Sequence, residues 1–407
     1  MKTKTLLTTF IIAALLLCSC GGGNQQQQAG DLPVIDIRRN HPQKQMRIQD
    51  IATTIEYIPL ETTDDILLGQ HSALAHVSDR YIVVTEFTRG DIFVFNRNGK
   101  AISHFNHRGQ GPREYTSFGQ KGVAVDENAG EIFVLNRVTH RILVYSISGE
   151  YQRTLRFSTD LNLNEIYSFD NETLLVYDDV RLTNAGPVGN EKPYLLLSKQ
   201  DGSIVYTFDI LLPTRYTNRG AEAVYINRVR HYTPISVNMP RRRHFGQDFV
   251  IADISSDTIY LLTQDRVLTP LLTRNPSVHA SEPRRVLTSL LKTDRFIFLQ
   301  KTTLDLAGVG GGVQVARPSL PLMHEFETGQ TYEVLFSRLG GEYIGLGTML
   351  GRFSTVAIGS RNMDAFLIPI EFFTIAYERN MLTGDLERLA ATLDEEDNPV
   401  VAIVTFK

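Results

Sequence analysis

The residues best suited to bind or transform a ligand lie in three short polar stretches between positions 88 and 141. They are five arginines with one glutamate, one tyrosine and one histidine: Arg89, Arg108, Arg113, Glu114, Tyr115, Arg137, His140 and Arg141. Guanidinium groups bind carboxylate, sulfate or phosphate groups through paired hydrogen bonds, and a tyrosine ring can stack on a sugar or a peptide. These residue types predict a binding site for an anionic ligand or a carbohydrate.

A structural role is the alternative for the same residues. Arg137 and Arg141 could pair with aspartate or glutamate side chains of neighbouring elements, and Gly109, Gly111 and Pro112 could simply shape a tight turn. The sequence alone leaves both interpretations open.

Sequence patterns typical of catalysis or cofactor binding are missing. The chain holds no HExxH, no CxxC, no GxSxG and no Gly-Lys-Ser/Thr after the glycine-rich stretch 308–312. The histidines are dispersed, so no metal-ligand spacing can be read. We predict no catalytic residue and no cofactor, and leave open a metal held by side chains from separate segments. The basic run 241–244 (RRRH) could contact lipid headgroups or glycan acid groups, or could be a solvated loop.

The elements that must position these residues begin as two copies of one pattern, 50 positions apart. YIVVTEFTRGDIFVFNRNGKAISHF (81–105) and EIFVLNRVTHRILVYSISGEYQRTL (131–155) align so that Ile92 matches Ile142 and Gly99 matches Gly149. Each copy holds β-branched and aromatic runs, a polar link, and a glycine at a tight hairpin turn. With the apolar run before it, each copy predicts four antiparallel strands, which form a propeller blade.

Looser copies follow, and together they predict an all-β fold, a six-bladed β-propeller with a short helical segment near the C-terminus. The further strand-like runs are Leu174–Tyr177, Tyr194–Ser198, Ile204–Ile210, Phe249–Asp253, Thr258–Thr263, Phe296–Lys301, Tyr332–Phe336, Phe366–Ile370 and Val400–Phe406, and Glu371–Leu393 has helical spacing. Strand-like runs at both ends suggest that the chain ends close the ring. We predict that Val34–Ile37 pairs with Val400–Thr405. A second N-terminal run, Ile55–Leu60, is limited to a sheet edge by Pro59.

The propeller topology also predicts where the arginine-bearing stretches lie. Links between the second and third strands of a blade share a face with the connections between blades. Thr88–Gly90, Asn106–Thr116 and Asn136–Arg141 are therefore predicted to lie on one rim, although they are separate in sequence.

Residues 1–20 are predicted to be a lipoprotein signal peptide. Lys2 and Lys4 form a positive start, and Leu6–Leu17 is an apolar run too short to span a bilayer permanently. The Leu-Cys-Ser-Cys that ends the segment resembles a bacterial lipobox, which implies cleavage and lipidation at Cys20; an ordinary secretory signal is the alternative. Residues 21–31 predict a flexible tether, and residues 32–407 the propeller.

The overall charge limits the classes of partner. The formal net charge is −4, and signal cleavage would remove Lys2 and Lys4. Such a chain has no bulk attraction to nucleic acid, so no nucleic-acid partner is predicted. No later run is long and apolar enough for a transmembrane helix, so we expect membrane attachment through the lipid alone.

Five segments resemble a known protein family. They are IEYIPLETTDDILLG (55–69), GQGPREY (109–115), IFVLNRVTHRILVYSISGE (132–150), SSDTIYLL (255–262) and LDEEDNPVVAIV (393–404). They resemble the six-bladed β-propeller lipoproteins of Gram-negative gut bacteria, and NRVTHRILVYSISG also resembles the NHL repeat. The resemblance implies the fold and an outer-membrane lipoprotein on the periplasmic or surface side. It implies no activity, because the group has no settled one. Arg113 departs from the family, which often has glycine there.

These observations predict a lipid-anchored binding or interaction module of the cell envelope. The expected partner is a glycan, a peptide or an envelope protein held on the arginine-bearing rim. One alternative is a metal-assisted lyase or hydrolase with its site in the central channel. Another is a scaffold without a small ligand. Several histidine or acidic side chains converging on the channel would favour the enzyme, and an apolar, neutral channel would favour the binding module.

Overall fold

The six-bladed β-propeller expected from the sequence is the architecture of the chain. The computed structural model describes residues 32–183, 186–216, 219–226, 229–236, 242–281, 284–305, 314–315, 321–336 and 362–407. Six sheets stand around one axis, and innermost strands of neighbouring blades contact one another, as at the boundary between blades one and two.

Blades one to three follow the repeat in its simplest form. Blade one consists of β4 (Ser72–Val77), β5 (Tyr81–Glu86), β6 (Asp91–Asn96) and β7 (Ala101–Phe105). Blade two consists of β8 (Val123–Asp126), β9 (Glu131–Asn136), β10 (Arg141–Ser146) and β11 (Tyr151–Arg156). Blade three consists of β12 (Leu163–Ser168), β13 (Thr173–Asp178), β16 (Tyr194–Ser198) and β17 (Ile204–Thr207), with an inserted hairpin of β14 (Arg181–Thr183) and β15 (Gly186–Val188).

Blades four to six also take strands from the N-terminal segment. Blade four consists of β20 (Arg242–Phe245), β21 (Asp248–Ile251), β22 (Thr258–Leu262) and β23 (Leu268–Asn275), with β1 (Val34–Asp36) added outside β23. Blade five consists of β24 (Arg284–Lys292), β25 (Phe296–Asp305), β27 (Leu322–Glu325) and β28 (Thr331–Phe336), with β2 (Gln43–Met46) outside β28 and β26 (Gln314–Val315) beside β25. Blade six consists of β29 (Met363–Ile368), β30 (Val400–Phe406) and β3 (Ala52–Pro59). A separate hairpin of β18 (Arg219–Ile226) and β19 (Val229–Ser236) follows blade three.

Three short α-helices complete the described elements: α1 (Ile48–Ile51), α2 (Ile370–Glu378) and α3 (Gly384–Ala390). The helical spacing of Glu371–Leu393 therefore corresponds to two helices. Asn380 stands between them with a left-handed φ of 52°, which breaks the helical path.

The two clearest sequence copies form adjacent blades, as predicted. Val83, Ile92 and Val94 of blade one are buried in the same cluster as Val125 and Ile132 of blade two. Both faces of these strands are apolar because each sheet lies between two others. A β-bulge recurs between the third and fourth strands of blades one to four, as expected of repeated units.

The hairpin glycines of successive blades hold each blade against the one before it. Gly99, Gly149 and Gly202 have φ of 83°, 88° and 85°, which confirms the predicted hairpin turns. A Cβ on Gly149 would lie 2.6 Å from the Phe105 ring of β7, and one on Gly202 would lie 2.7 Å from the carbonyl oxygen of Arg156 in β11. Each hairpin thus contacts the outer strand of the preceding blade too closely for any side chain.

The prediction that Val34–Ile37 pairs with Val400–Thr405 is wrong. β1 runs parallel to Thr273–Asn275 of β23 in blade four, and β3 closes the ring by pairing with β30. The short connection 60–71 leads from β3 to blade one, so β3 must lie in the neighbouring blade six. Residues before it run along the outer edges of blades four and five. Pro59 lies on an edge strand, as predicted.

Asn398 fixes this closure from the C-terminal side. Its side-chain Nδ2 donates to the carbonyl oxygens of Glu61 at 2.8 Å and Ile66 at 2.7 Å, and its Oδ1 accepts from the Leu68 N–H at 2.8 Å. Asn398 is 2% exposed, so these are buried bonds. Two segments that carry the family resemblance, 55–69 and 393–404, therefore meet at the closure.

Candidate functional site

The two faces of the propeller carry different loops. The hairpin face carries the turns between first and second strands and between third and fourth strands. The link face carries the links between second and third strands and the connections between blades. Side-chain contacts join the three predicted stretches on the link face of blades one and two. Arg108 Nη1 donates to the Thr88 carbonyl oxygen at 2.6 Å, and Arg141 Nη1 donates to that of Pro112 at 3.2 Å.

The GQGPREY segment folds its own glutamate back onto the turn. Glu114 Oε2 accepts the Gly111 N–H at 2.8 Å, and a Cβ on Gly109 would overlap this carboxylate. The two glycines make room for the glutamate beside the backbone. Glu114 therefore shapes the connection.

Tyr115 is fully buried at the centre of the same connection. Its hydroxyl donates to the Gly90 carbonyl oxygen at 2.7 Å and accepts the His107 N–H at 2.9 Å. Burial raises the pKa of Tyr115 well above its ordinary value. The expectation that this ring stacks on a ligand is incompatible with its burial. The local sequence gave no sign of this, because the covering residues come from both blades.

Arg89 is paired with acidic neighbours, the kind of contact that the structural alternative proposed for Arg137 and Arg141. Its Nε lies 2.8 Å from Asp91 Oδ2, and its Nη2 donates to the Leu67 carbonyl oxygen at 2.7 Å. Burial alone would raise the pKa of Asp91. Hydrogen bonds from Asn106 and His104, together with the Arg89 charge, lower it below its ordinary value.

Three other rim arginines, Arg108, Arg113 and Arg141, differ from Arg89 in their partners. Within the described residues, none of these three guanidinium groups has a carboxylate within 4.0 Å. Arg108 donates from Nη1 to a carbonyl oxygen, and Arg141 donates from Nη1 to a carbonyl oxygen and from Nε to the Thr139 hydroxyl. Arg113 lies 5.2 Å from the centre of the Tyr151 ring. Their positive charge is therefore not neutralised by these internal contacts.

Arg137 and His140 shape the link between β9 and β10. Arg137–Thr139 forms one turn of 3-10 helix, and His140 ends it with a left-handed φ of 50°. The His140 ring packs edge-on against Phe157, with ring centres 5.5 Å apart. Both side chains are half-buried. Part of each side chain is therefore covered by its neighbours, and part remains accessible from the rim.

The central channel contains a cavity of about 30 Å³ between the innermost strands of blades one to four. His76, Lys121, Tyr167 and His244 contribute its polar lining, with Val123, Ile166 and other aliphatic residues between them. Lys121 Nζ lies 3.7 Å from Glu165 Oε2, which also accepts the Tyr167 hydroxyl at 2.9 Å. A cavity of this size has room for about one water molecule. The lining of this cavity is thus not wholly apolar, and the cavity is too small to hold a substrate larger than water.

The metal alternative requires a group of suitable donor side chains. In the part of the chain that the structure describes, no three histidine, cysteine, aspartate or glutamate side chains are grouped so that they could hold a metal ion. The described residues therefore do not fit a metal centre.

The sequence interpretation missed a set of ion pairs on the hairpin face. Lys199 Nζ donates to Asp126 Oδ2 at 2.6 Å and to Ser168 Oγ at 2.8 Å, and Lys199 is 4% exposed. Between blades one and two, His76 Nε2 lies 2.9 Å from Glu127 Oε2. This bond, joined by others from Ser78 and Arg80 and opposed by burial, lowers the pKa of Glu127 to about 2. The partners are far apart in sequence, so no local pattern indicates them.

Several predicted features lie outside the described residues: the signal peptide and tether 1–31 with Cys20, Arg241 of the basic run, and the glycine-rich stretch 308–312. The helices that are described include none long and apolar enough to cross a membrane.

Comparisons with solved structures agree with the fold. A protein of Bacteroides fragilis described as exported superposes with a TM-score of 0.57 at 14% identity, covering 90% of this chain and 99% of its own. A DUF4221 family member from Bacteroides vulgatus gives a TM-score of 0.43 at 9% identity, covering 88% of this chain and 97% of its own. At 14% identity the first likeness shows the shared fold alone. No curated protein matches the sequence.

The family itself is shown by the sequence, over the same region that folds as the propeller. A family model, domain of unknown function DUF4934, matches residues 32–405. The chain therefore belongs to the DUF4934 family.

Proposed function

We propose that this propeller is a binding module of the cell envelope that holds an acidic group of a glycan, peptide or partner protein on the link face of blades one and two. The observation that carries the proposal is the trio Arg108, Arg113 and Arg141. These guanidinium groups lie on one rim of an acidic protein without carboxylate partners among the described residues.

Their geometry supports binding of an anion from solution. Arg108 is exposed, and its contact with the Thr88 carbonyl oxygen uses one nitrogen, leaving other N–H donors of the fork. Carbonyl oxygens orient a guanidinium without cancelling its charge, unlike the carboxylate that pairs with Arg89. Oriented, uncancelled guanidinium groups suit paired hydrogen bonds to carboxylate, sulfate or phosphate.

The proposal is tested with an array of acidic and neutral glycans and peptides, probed with the full mature protein and with a triple variant, Arg108→Ala, Arg113→Ala and Arg141→Ala. A matched triple variant, Arg38→Ala, Arg47→Ala and Arg388→Ala, removes the same charge at arginines that pair with Asp36, Asp50 and Asp385. We expect acidic probes to bind the wild type and the matched variant. The rim variant should bind at least ~10-fold more weakly, and added salt should weaken binding.

Equal binding of acidic probes by both triple variants would contradict the proposal, and so would binding confined to neutral probes. If the rim variant retains every detectable interaction, the protein is better described as a scaffold.

We also propose that the chain is exported and anchored through a lipid on Cys20. The signal-like segment 1–20 supports this, and so does the fold shared with a Bacteroides fragilis protein described as exported. The test is metabolic labelling with a radioactive fatty acid. Label should enter the wild type and a Cys18→Ser variant but not Cys20→Ser. Labelling of Cys20→Ser would place the lipid elsewhere, and an unlabelled wild type would indicate an ordinary secretory signal.

A further inference from the structure

The outer edge of blade three is unusual among the blades. β17 is the last strand of its sheet, and all four of its residues are exposed. Ile204 and Val205 are each 48% exposed and Tyr206 is 39% exposed. Three consecutive exposed apolar residues on an edge strand present both the backbone hydrogen-bonding groups of the free edge and apolar surface to solvent.

The corresponding edges of blades one, two, four and five are covered or bridged. β23 and β28 each carry an added parallel strand, β1 and β2. The edge strands β7 and β11 are bridged by the hairpin of the next blade: Ser103 Oγ donates to the Ile147 carbonyl oxygen at 2.6 Å, and the Arg156 N–H donates to that of Asp201 at 3.0 Å. Across the blade boundary, the described contacts of β17 are limited to the Arg266 guanidinium, 5.7 Å from the Tyr206 ring centre; within its own blade, the Tyr206 ring packs edge-on against Phe208.

The bulge in β17 does not prevent strand addition. The register shifts beside Ile204, where β17 pairs with β16. β23 carries the equivalent bulge against β22 and still pairs with β1 beyond it. In β23, a bulge next to the paired residues is therefore compatible with an added strand.

The charge around the edge indicates the character of the occupant. Arg266 is paired with Asp170 at 3.4 Å, so the nearby cation is neutralised. Val267, next to it in sequence, is 53% exposed and adds to the apolar surface. This surface differs from the link-face rim, where arginine charge is uncancelled, and it favours an apolar partner over an acidic one.

We propose that the edge of β17 is a docking site for an extended segment of a partner polypeptide, carrying β-branched or aromatic residues at alternate positions, which adds to blade three as a fifth strand. Main-chain hydrogen bonds would supply much of the affinity, and Ile204, Val205 and Tyr206 would select the side chains. The proposal does not depend on the rim site.

The test uses the full mature protein and a phage-displayed library of random 12-residue peptides. We expect the selected peptides to share alternating apolar residues and to bind an Ile204→Lys variant at least tenfold more weakly than the wild type. An Ile102→Lys variant is the matched control, since Ile102 lies on β7 and is 49% exposed; it should bind like the wild type. Bound peptide should slow amide hydrogen exchange at Ile204–Thr207.

Three results would overturn the proposal. Library selection could yield no specific peptide, or peptides that bind Ile204→Lys and Ile102→Lys alike. Alternatively, sedimentation could show a dimer of the protein that Ile204→Lys dissociates, which would make a second copy of this chain the occupant. Both lysine variants should keep the wild-type melting temperature, since both positions are exposed.

Discussion

The two faces of blades one to three use positive charge in different ways. On the hairpin face, lysine and arginine side chains pair with carboxylates across blade boundaries, as Lys199 does with Asp126. On the link face, Arg89 is paired with Asp91, but Arg108 and Arg141 contact carbonyl oxygens and keep their charge. The comparison separates charge that joins the blades from charge that remains available to a ligand. Four predictions test it, from the largest expected effect on stability to the smallest.

Replacing Lys199 with Met should destabilise the protein most. Asp126 would be left as a buried charge without its partner, at a cost of about 3–5 kcal/mol in the free energy of unfolding. Urea denaturation measures this, with the exposed Lys100→Met as control. Adding Asp126→Asn to Lys199→Met should recover part of the loss. A loss below about 1 kcal/mol would show that the buried pair does not join blades two and three.

Gly149→Ala should have the next largest effect. An alanine in the left-handed region, with its Cβ too close to the Phe105 ring, should lower the free energy of unfolding by about 2–3 kcal/mol. Gly119→Ala is the control on the link face, where a new Cβ meets nothing within 4 Å. Equal melting temperatures for the two variants would mean that the hairpin face tolerates side chains as the link face does.

Glu127→Gln should lower stability in a pH-dependent way. The folded-state pKa of Glu127 is about 2, below its ordinary 4.5, so its stabilising effect is complete above pH 4.5 and is lost as the pH falls towards 2. The difference in unfolding free energy between wild type and variant should therefore be largest at neutral pH and shrink over that window. Glu395→Gln, at an exposed position, should show no such trend. A pH-independent difference would contradict the pairing with His76.

The rim triple variant should have the smallest effect on stability. Arg108, Arg113 and Arg141 are exposed or half-buried and lack carboxylate partners among the described residues. Replacing all three should therefore lower the free energy of unfolding by less than about 1 kcal/mol. Urea denaturation beside Lys199→Met makes the comparison direct. A loss as large as that of Lys199→Met would make these arginines structural and remove the distinction between the faces.

The sequence determined the local elements because their causes are local. Alternating and continuous apolar runs specified the strands of blades one and two, and Gly99 and Gly149 marked turns that need positive φ. The fixed spacing of the two copies then indicated stacked blades, and the topology placed the arginine stretches on one face.

The tertiary structure alone decided which segments and side chains meet across the ring. Either N-terminal run could have paired with Val400–Phe406 by its composition; the choice of β3 over β1 depended on how the chain reaches blade one. The sequence likewise could not show that Tyr115 and Lys199 are buried or what they contact, because their partners come from other parts of the ring. Burial and charge pairing are properties of the assembled ring, so the difference between a structural and an available arginine appears only there.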